Sequence, residues 1–239
     1  MNNKEFLLCE MNKIGISLSD HQVDQFLKYY DLLVEWNSFM NLTAITDYEE
    51  VVTKHFIDSL AISKVYDFKE TLNLIDIGTG AGFPGIPLKI VFPQIQVTLL
   101  DSLKKRINFL DEIIRILNLS DIIAFHGRAE DFAKQKEMRD SYDICVSRAV
   151  ANLSSLTELC LPFVKVGGRF ISYKSEKVSD ELETAKNAIT QTGGELHSVD
   201  NFYICNDSLY RSFITILKVK ETPSKFPRKA GMAVKSPIT

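Results

Sequence analysis

The first part of the chain, up to about residue 66, places apolar residues with the period of an α-helix. A first amphipathic helix is predicted by apolar residues at helical spacing, namely Phe6, Leu7, Met11 and Ile14. Ser19 or Asp20 is expected to cap a second helix and Asp47 a third, because short polar side chains accept hydrogen bonds from the first backbone N–H groups. The apolar, amide-rich stretch 36–43 between them is interpreted as a helix end whose amides bond to turn backbone.

From Leu72 onward, apolar runs typical of buried strands alternate with segments typical of helices. Parallel strands are predicted near 72–77, 96–101, 122–127, 142–147 and 168–174, and helices near 84–92, 103–118, 129–137, 154–165 and 176–192. Two further runs, near 195–204 and 212–219, follow each other without a helix and predict an antiparallel hairpin. We therefore predict an α/β fold with a doubly wound, mostly parallel seven-stranded sheet. The expected domains are a helical extension (1–66), a main domain (67–220) and a tail (221–239).

Composition narrows the class of protein. The chain has 239 residues, 45% of them apolar and 25% charged, which is ordinary for a soluble globular protein. Four scattered cysteines without a C-x-x-C pair suggest neither a disulfide framework nor a zinc site, and no metal is expected. No leader and no apolar run long enough for a membrane span are apparent. We expect a soluble, cytoplasmic protein that does not bind membranes, with a monomer as the default state.

A glycine-rich loop follows the first predicted strand, from Asp76 to Gly85. Strand, glycine loop and helix together bring backbone close to a ligand at the carboxyl end of a sheet. The spacing is G-x-G-x-G (Gly78, Gly80, Gly82), which differs from that of dinucleotide binders. The next strand ends in Asp101, where a carboxylate can accept both hydroxyls of a ribose. An adenosine-containing cofactor is the leading interpretation, and a tight turn without a ligand is the alternative.

The end of the chain is basic although the whole chain carries a net charge of −3. From residue 218 to 239 six basic residues face one acid: Lys218, Lys220, Lys225, Arg228, Lys229 and Lys235 against Glu221. Three prolines in this segment are expected to keep it extended. The segment could bind phosphates of a nucleic acid, or it could be a solvated tail.

Taken together, these motifs resemble the small-subunit ribosomal RNA methyltransferase G family, also called glucose-inhibited division protein B. The matches are Trp36-Asn37…Asn41-Leu-Thr43, Lys54-His55-Phe-Ile-Asp58-Ser59, Asp76–Pro87, Leu100–Arg106, Arg128-Ala129-Glu130, Ser147-Arg148-Ala149 and Pro227-Arg228-Lys229. They span nearly the whole chain in the family's order. Ser175, Ala230 and Val234 depart from the family pattern.

The resemblance implies a Rossmann-like, class I S-adenosylmethionine-dependent methyltransferase that methylates N7 of one guanosine in 16S ribosomal RNA, with the small ribosomal subunit or its precursor as partner. It implies cofactor contacts at Gly78, Gly80, Phe83, Asp101, Ala129, Glu130 and Arg148, with Asp101 on the ribose. The candidates for RNA contact are Lys54, His55, Lys174, Arg211, Arg228 and Lys229. Arg148 is the positioning candidate and is expected to bond the methionine carboxylate, guanine O6 or a phosphate.

The chemistry of the acceptor offers an independent test. Enzymes that methylate exocyclic amino groups tend to carry an Asn/Asp-Pro-Pro-aromatic motif. Methylation of pyrimidine C5 requires a cysteine nucleophile, typically in a Pro-Cys pair. The chain contains neither Pro-Pro nor Pro-Cys. Guanine N7 carries an in-plane lone pair and no proton, so it needs neither a base nor covalent activation. The remaining alternatives are a methyltransferase for a protein or small molecule, a nicotinamide or flavin dehydrogenase, and a non-catalytic RNA-binding factor.

Overall fold

The computed structural model describes residues 1–148, 151–175, 178–205 and 209–239. One seven-stranded sheet has the order β3-β2-β1-β4-β5-β7-β6. Its strands are β1 (Asn73–Ile77), β2 (Gln96–Asp101), β3 (Ile122–His126), β4 (Tyr142–Arg148), β5 (Val164–Lys174), β6 (Gly194–Ile204) and β7 (Leu209–Lys218). The first five strands pair in parallel, whereas β7 pairs antiparallel with both β5 and β6. The predicted fold class and the terminal hairpin are confirmed.

Ten α-helices in the described residues surround the sheet. They are α1 (Asn3–Lys13), α2 (Asp20–Met40), α3 (Tyr48–Val51), α4 (Asp58–Leu60), α5 (Gly85–Val91), α6 (Lys104–Ile116), α7 (Ala129–Phe132), α8 (Leu153–Cys160), α9 (Ser179–Gln191) and α10 (Met232–Lys235). The helix predicted near 129–137 ends early, since only Ala129–Phe132 is helical. Residues 176–177, at the start of another predicted helix, lie outside the described residues, as does Ala149 of the Ser147-Arg148-Ala149 motif.

The helix predicted after Asp47 is a composite. Asp47 caps it as expected, because its side chain accepts from the backbone N–H of Glu50. A π-helical turn, Val52–Ile57, then separates α3 from α4, and a 3₁₀ turn, Ala61–Lys64, follows. Apolar spacing cannot distinguish these forms, since all three bury one face. π turns are rare and often lie at functional sites.

The interpretation of stretch 36–43 as a helix end is confirmed. Asn37 Oδ1 accepts hydrogen bonds from the backbone N–H groups of Leu42 (2.7 Å) and Thr43 (2.9 Å). Asn41 ends α2 in the left-handed conformation, which asparagine tolerates better than most residues. At the other end, Ser19 and Gln22 form a reciprocal capping box. Both ends of α2 are therefore fixed by its own polar residues.

Helices cover both faces of the sheet. One apolar cluster joins α1, α2, α5 and α6 to the sheet, and the other joins α8 and α9 to it. The N-terminal helices belong to the first cluster: the ring of Phe26 lies 4.9 Å from that of Phe56, and Gln25 donates to the backbone oxygen of Leu117, which follows α6. The predicted helical extension thus packs against the helices that cover this face and shares one apolar cluster with the sheet.

The expectation of an extended tail is wrong, because the segment folds back onto the body. Lys218, counted as part of the basic tail, is fully buried at the end of β7. Its ammonium donates to Asp140 (2.8 Å), to the backbone oxygen of Leu161 (2.8 Å) and to Thr222 (2.7 Å). Arg139 then donates to the backbone oxygens of Thr222 and Phe226.

Among the described residues, none of the helices combines the length and apolarity that crossing a bilayer requires.

Candidate active site

A cavity of about 790 Å³ opens at the carboxyl ends of β1, β2 and β3. This is the edge at which doubly wound folds bind ligands. Its lining includes Leu42, Thr43, His55, Gly78, Gly80, Phe83, Asp101, Arg106, Ala129, Glu130, Arg148, Leu159, Gly231 and Val234. All seven predicted cofactor contacts lie in this lining. The volume falls in the range of small-molecule sites.

The glycine loop bends sharply between β1 and α5. Gly78, Gly80 and Gly82 all have positive φ, which favours glycine. A Cβ on Gly80 would meet no atom within 4 Å, so this backbone faces open space in the cavity. A Cβ on Gly82 would lie 2.8 Å from the Tyr29 hydroxyl. The loop therefore presents bare backbone to the cavity and packs tightly against α2 behind it.

Asp76 holds the glycine loop from inside. Its Oδ2 accepts from the Thr79 hydroxyl (2.7 Å) and from the backbone N–H of Gly85 (2.9 Å), which begins α5. The residue is fully buried, and its Oδ1 has no hydrogen-bond partner in the described residues. Burial raises the pKa of Asp76 to about 6, although both hydrogen bonds oppose this shift. Asp76 shapes the loop and does not itself line the cavity.

Asp101 ends β2 directly beside that loop. Its carboxylate accepts from the backbone N–H groups of Gly80 (3.0 Å) and Leu103 (2.9 Å) and from the guanidinium of Arg106 (3.0 Å). A carboxylate has about four lone-pair sites, so capacity for a hydroxyl donor remains. The structure thus brings the two sequence signals, the glycine loop and the acid after it, into direct contact.

Phe83 forms an aromatic wall of the cavity. Tyr29 stacks on one side of it with ring centroids 5.3 Å apart, and His55 stacks at 4.6 Å with an interplanar angle of 19°. The guanidinium of Arg148 lies 5.1 Å from the centre of the Phe83 ring, a cation–π distance. Groups from α2, the π turn, the glycine loop and β4 therefore meet at one place.

Two arginines share one buried carboxylate beside this wall. Asp58, only 4% exposed, accepts from Arg148 at 2.9 Å and also from Arg211 of β7. Arg148 lines the cavity, whereas Arg211 is not part of the lining. The pairing fixes the Arg148 guanidinium and compensates part of its charge. Arg148 Nη1 also donates to the backbone oxygen of His55 (3.4 Å), so Asp58 and His55, which share a motif in the sequence, both contact Arg148.

The imidazole of His55 is held neutral. Its Nδ1 lies 3.1 Å from the backbone oxygen of Lys54, which can only accept, so Nδ1 carries the proton. Its Nε2 lies 2.9 Å from the Thr43 hydroxyl and accepts from it in this tautomer. Burial, helped by the Arg148 cation, lowers the pKa of His55 to about 4. The cavity therefore presents an uncharged ring next to Phe83 at neutral pH.

The other RNA candidates lie outside the cavity lining. Lys54 pairs with Glu50 on the surface. Lys174 pairs with Glu181 and donates to the backbone oxygen of Ala151. Lys229 is exposed. Arg228 is bound to the buried carboxylate of Glu158. Of the six candidates, only His55 faces the cavity.

Sequence reasoning missed several lining residues. Thr43 was part of a recognised motif, but its apolar and amide neighbours indicated only a helix end. Arg106 lay in a matched motif without an assigned role. Gly231 and Val234 come from a tail that was expected to be extended. Within the described parts of the chain, no group of His, Cys, Asp and Glu has the arrangement of a metal site.

The sequence of the chain matches a family of known proteins. A family model described as rRNA small subunit methyltransferase G (GidB) matches residues 22–209. Ribosomal RNA small subunit methyltransferase G of Lachnoclostridium phytofermentans is 53% identical over 238 residues, covering 100% of this chain and 98% of that protein. The protein of the same name from Bacillus cytotoxicus is 51% identical over 224 residues, 94% of each chain.

A solved structure confirms the Rossmann-like methyltransferase fold. M. jannaschii TYW2 in complex with AdoMet resembles 68% of this chain and 77% of its own, with a TM-score of 0.52 at 16% identity. At that identity the likeness concerns the fold alone. The family match is independent of it, spans most of the chain and agrees with relatives that align nearly end to end. The chain belongs to the rRNA small subunit methyltransferase G family.

Proposed function

We propose that the protein transfers a methyl group from S-adenosylmethionine to N7 of a guanosine in 16S ribosomal RNA, within the small ribosomal subunit or its precursor. The names of the relatives, at 46–53% identity, support an RNA substrate of the small subunit. The observation that carries the proposal is the juxtaposition in one cavity of the Gly80–Asp101 contact with an aromatic wall of neutral His55 and Phe83.

The residues present fit S-adenosylmethionine. Asp101 retains acceptor capacity for ribose hydroxyls, and the bare backbone at Gly80 allows a close approach. Ala129 and Glu130 line the side of the cavity that follows β3, where an adenine ring would lie. Phe83 and Arg148 line the side that follows β1 and β4, where a methionine group would lie. When bound, this cofactor supplies an electrophilic methyl group on a sulfonium.

The titratable groups around the wall are already engaged. The Asp58 carboxylate accepts from two arginines, and both nitrogens of His55 have partners. None of these groups is arranged as a general base. Guanine N7 carries no proton, so it requires none. The residues would act by positioning the two reactants, which can contribute up to about 7–11 kcal/mol to lowering a barrier.

Charge at the site also suits a cationic cofactor and product. A protonated His55 would repel a sulfonium and a methylated guanine, and the depressed pKa of His55 avoids this charge. Asp58, which Arg148 shares with Arg211, compensates part of the charge of Arg148, whose guanidinium opposes both cations. The Phe83 ring faces the Arg148 guanidinium at a cation–π distance of 5.1 Å, which also stabilises that cation. The wall thus accommodates positive charge without adding its own.

The test is transfer of labelled methyl from S-adenosylmethionine to small-subunit RNA, with and without ribosomal proteins, followed by digestion to nucleosides. We expect label in 7-methylguanosine, and loss of this label in Asp101→Ala and Arg148→Ala variants that remain folded. Label in another nucleoside would overturn the N7 assignment. No label in any RNA, despite cofactor binding, would indicate a protein or small-molecule acceptor.

A further inference from the structure

We infer that residues 228–235 form a wall of the cofactor pocket and contact its adenosine half. The inference rests on S-adenosylmethionine as the cofactor, which belongs to the proposed function. The basic composition of this segment suggested a role in binding RNA phosphates. Its contacts in the folded chain point instead to the cavity.

Two residues of the segment line the cavity directly. Gly231 and Val234 do so beside Ala129, Glu130 and Leu159, at the end that follows β3. Val234 is 57% exposed, although it is apolar. An apolar side chain left open towards a cavity favours contact with the flat face of an aromatic group such as an adenine ring. The position therefore suits the base and not the methionine end.

Glu130 fastens the segment to α7. Its Oε1 accepts from the backbone N–H of Gly231 at 2.7 Å, and the residue is only 8% exposed. Gly231 has a φ of 81°, a conformation that glycine adopts without strain. One carboxylate oxygen of Glu130 is thus committed to holding the segment. Glu130 acts here as a positioning residue for residues 228–235.

Arg228 fastens the segment to α8. The carboxylate of Glu158, 1% exposed, accepts from the Arg228 backbone N–H (2.8 Å), from its Nε (2.9 Å) and from its Nη2 (2.6 Å). Such bidentate, charge-assisted bonds are the strongest that side chains form. Nη2 also donates to the backbone oxygen of Ser236 (2.8 Å). Arg228 is therefore engaged, and binding a phosphate would compete with a buried ion pair.

A third attachment follows these two along the chain. The Ser155 hydroxyl of α8 donates to the backbone oxygen of Ala233 at 2.7 Å, and Ala233 itself is buried. Ala233 directly precedes Val234, so this bond fixes the position of α10 relative to the cavity. With attachments at 228, 231 and 233, the segment has a fixed position relative to α7 and α8.

The decisive experiment uses Val234→Ala, because an exposed side chain can be shortened without disturbing the core. Dissociation constants would be measured by titration calorimetry for S-adenosylmethionine and for 5′-methylthioadenosine, which lacks the amino-acid part. We expect both constants to rise by the same factor, about threefold to tenfold for the loss of two apolar carbons from a contact. Met232→Ala is the matched control: Met232 lies on the same short helix, is exposed and does not line the cavity.

A second pair of variants tests the attachment. Arg228→Gln should weaken the binding of both S-adenosylmethionine and 5′-methylthioadenosine. Lys235→Gln also removes a charge from this segment, but it should leave the binding of both unchanged. If Val234→Ala bound both nucleosides as tightly as the wild-type protein does, the inference that residues 228–235 contact the cofactor would be wrong. Lower RNA affinity of Arg228→Gln at saturating cofactor, without a change in nucleoside binding, would also overturn it. Failure of wild-type protein to bind S-adenosylmethionine would instead contradict the proposed function.

Discussion

The carboxylate of Asp58 lies 2.9 Å from the guanidinium of Arg148 and connects the N-terminal helices to the end of β4. Asp58 begins α4 directly after the π turn, and Arg148 is the last residue of its strand. The same carboxylate accepts from Arg211 on β7. One buried acid therefore joins three parts of the chain behind the wall formed by His55 and Phe83.

Replacing Asp58 with alanine should strongly destabilise the protein. Two guanidinium groups would lose their counterion in a largely buried position, and breaking such a pair costs about 3–5 kcal/mol. Urea unfolding followed by circular dichroism measures the change in the free energy of unfolding. Asp67→Ala is the control, because Asp67 pairs with Lys69 on the open surface and should show no measurable effect. Equal stability of the two variants would contradict the structural role of Asp58.

Removing the Tyr29 hydroxyl should loosen the glycine loop. Tyr29 donates to the backbone oxygen of Ala81, in the loop between Gly80 and Gly82, and stacks on Phe83. Tyr29→Phe keeps the stack and loses one buried hydrogen bond, worth about 1 kcal/mol. We expect weaker cofactor binding by several-fold, measured by calorimetry.

The neighbouring residue provides a chemically identical control. Tyr30 donates to the backbone oxygen of Thr46, away from the cavity. Tyr30→Phe should leave the cofactor affinity unchanged. If both variants bound the cofactor as wild type does, α2 would have no influence on the loop.

Much of the fold and part of the site follow from local rules in the sequence. Apolar runs predicted the strands, and the doubly wound topology placed the end of β2 beside the end of β1. The contact between Asp101 and Gly80, 21 residues apart, is a consequence of that topology. Ser19, Asp47 and Asn37 could be predicted because caps and turns depend on nearby residues only.

The remainder depends on packing between distant segments. His55, which stacks on Phe83, lies in the π turn, and helical spacing does not distinguish a π turn from an α-helix. Lys218 counts as part of a basic segment that is expected to be extended, but its ammonium donates to Asp140 and the residue is buried. Val234 faces the cavity because Arg228 attaches its segment to Glu158 and Gly231 attaches it to Glu130. Such complementarity leaves no periodic signal in a single sequence.

The pH dependence of stability should reveal the neutral state of His55. Its folded pKa, about 4, lies below the ordinary value of 6.5, so the unfolded chain binds a proton between these values that the native chain does not. This residue therefore lowers stability as pH falls from 6.5 towards 4, by about 3 kcal/mol in total. His55→Phe should remove this dependence. Urea unfolding of both proteins at a series of pH values is the measurement, and parallel curves would contradict the assignment.

Asp76 should show the opposite sign. Its folded pKa, about 6, lies above the ordinary value of 3.8, so the native chain binds the extra proton between these values. Stability contributed by the protonated group is lost as pH rises through about 6, and the ionised form costs about 3 kcal/mol at higher pH. Asp76→Asn keeps the acceptor for Thr79 and Gly85 and carries no charge.

Relative to wild type, Asp76→Asn should therefore be more stable at about pH 8 than at about pH 5, measured by the same unfolding titration. Its amide nitrogen would occupy the position of Oδ1, which has no partner in the described residues, and an unpaired buried donor costs about 1–3 kcal/mol at every pH. The pH-dependent difference separates the two effects, because only the charge titrates. A constant difference across the range would mean that Asp76 is ionised without cost, and that its burial does not govern its pKa.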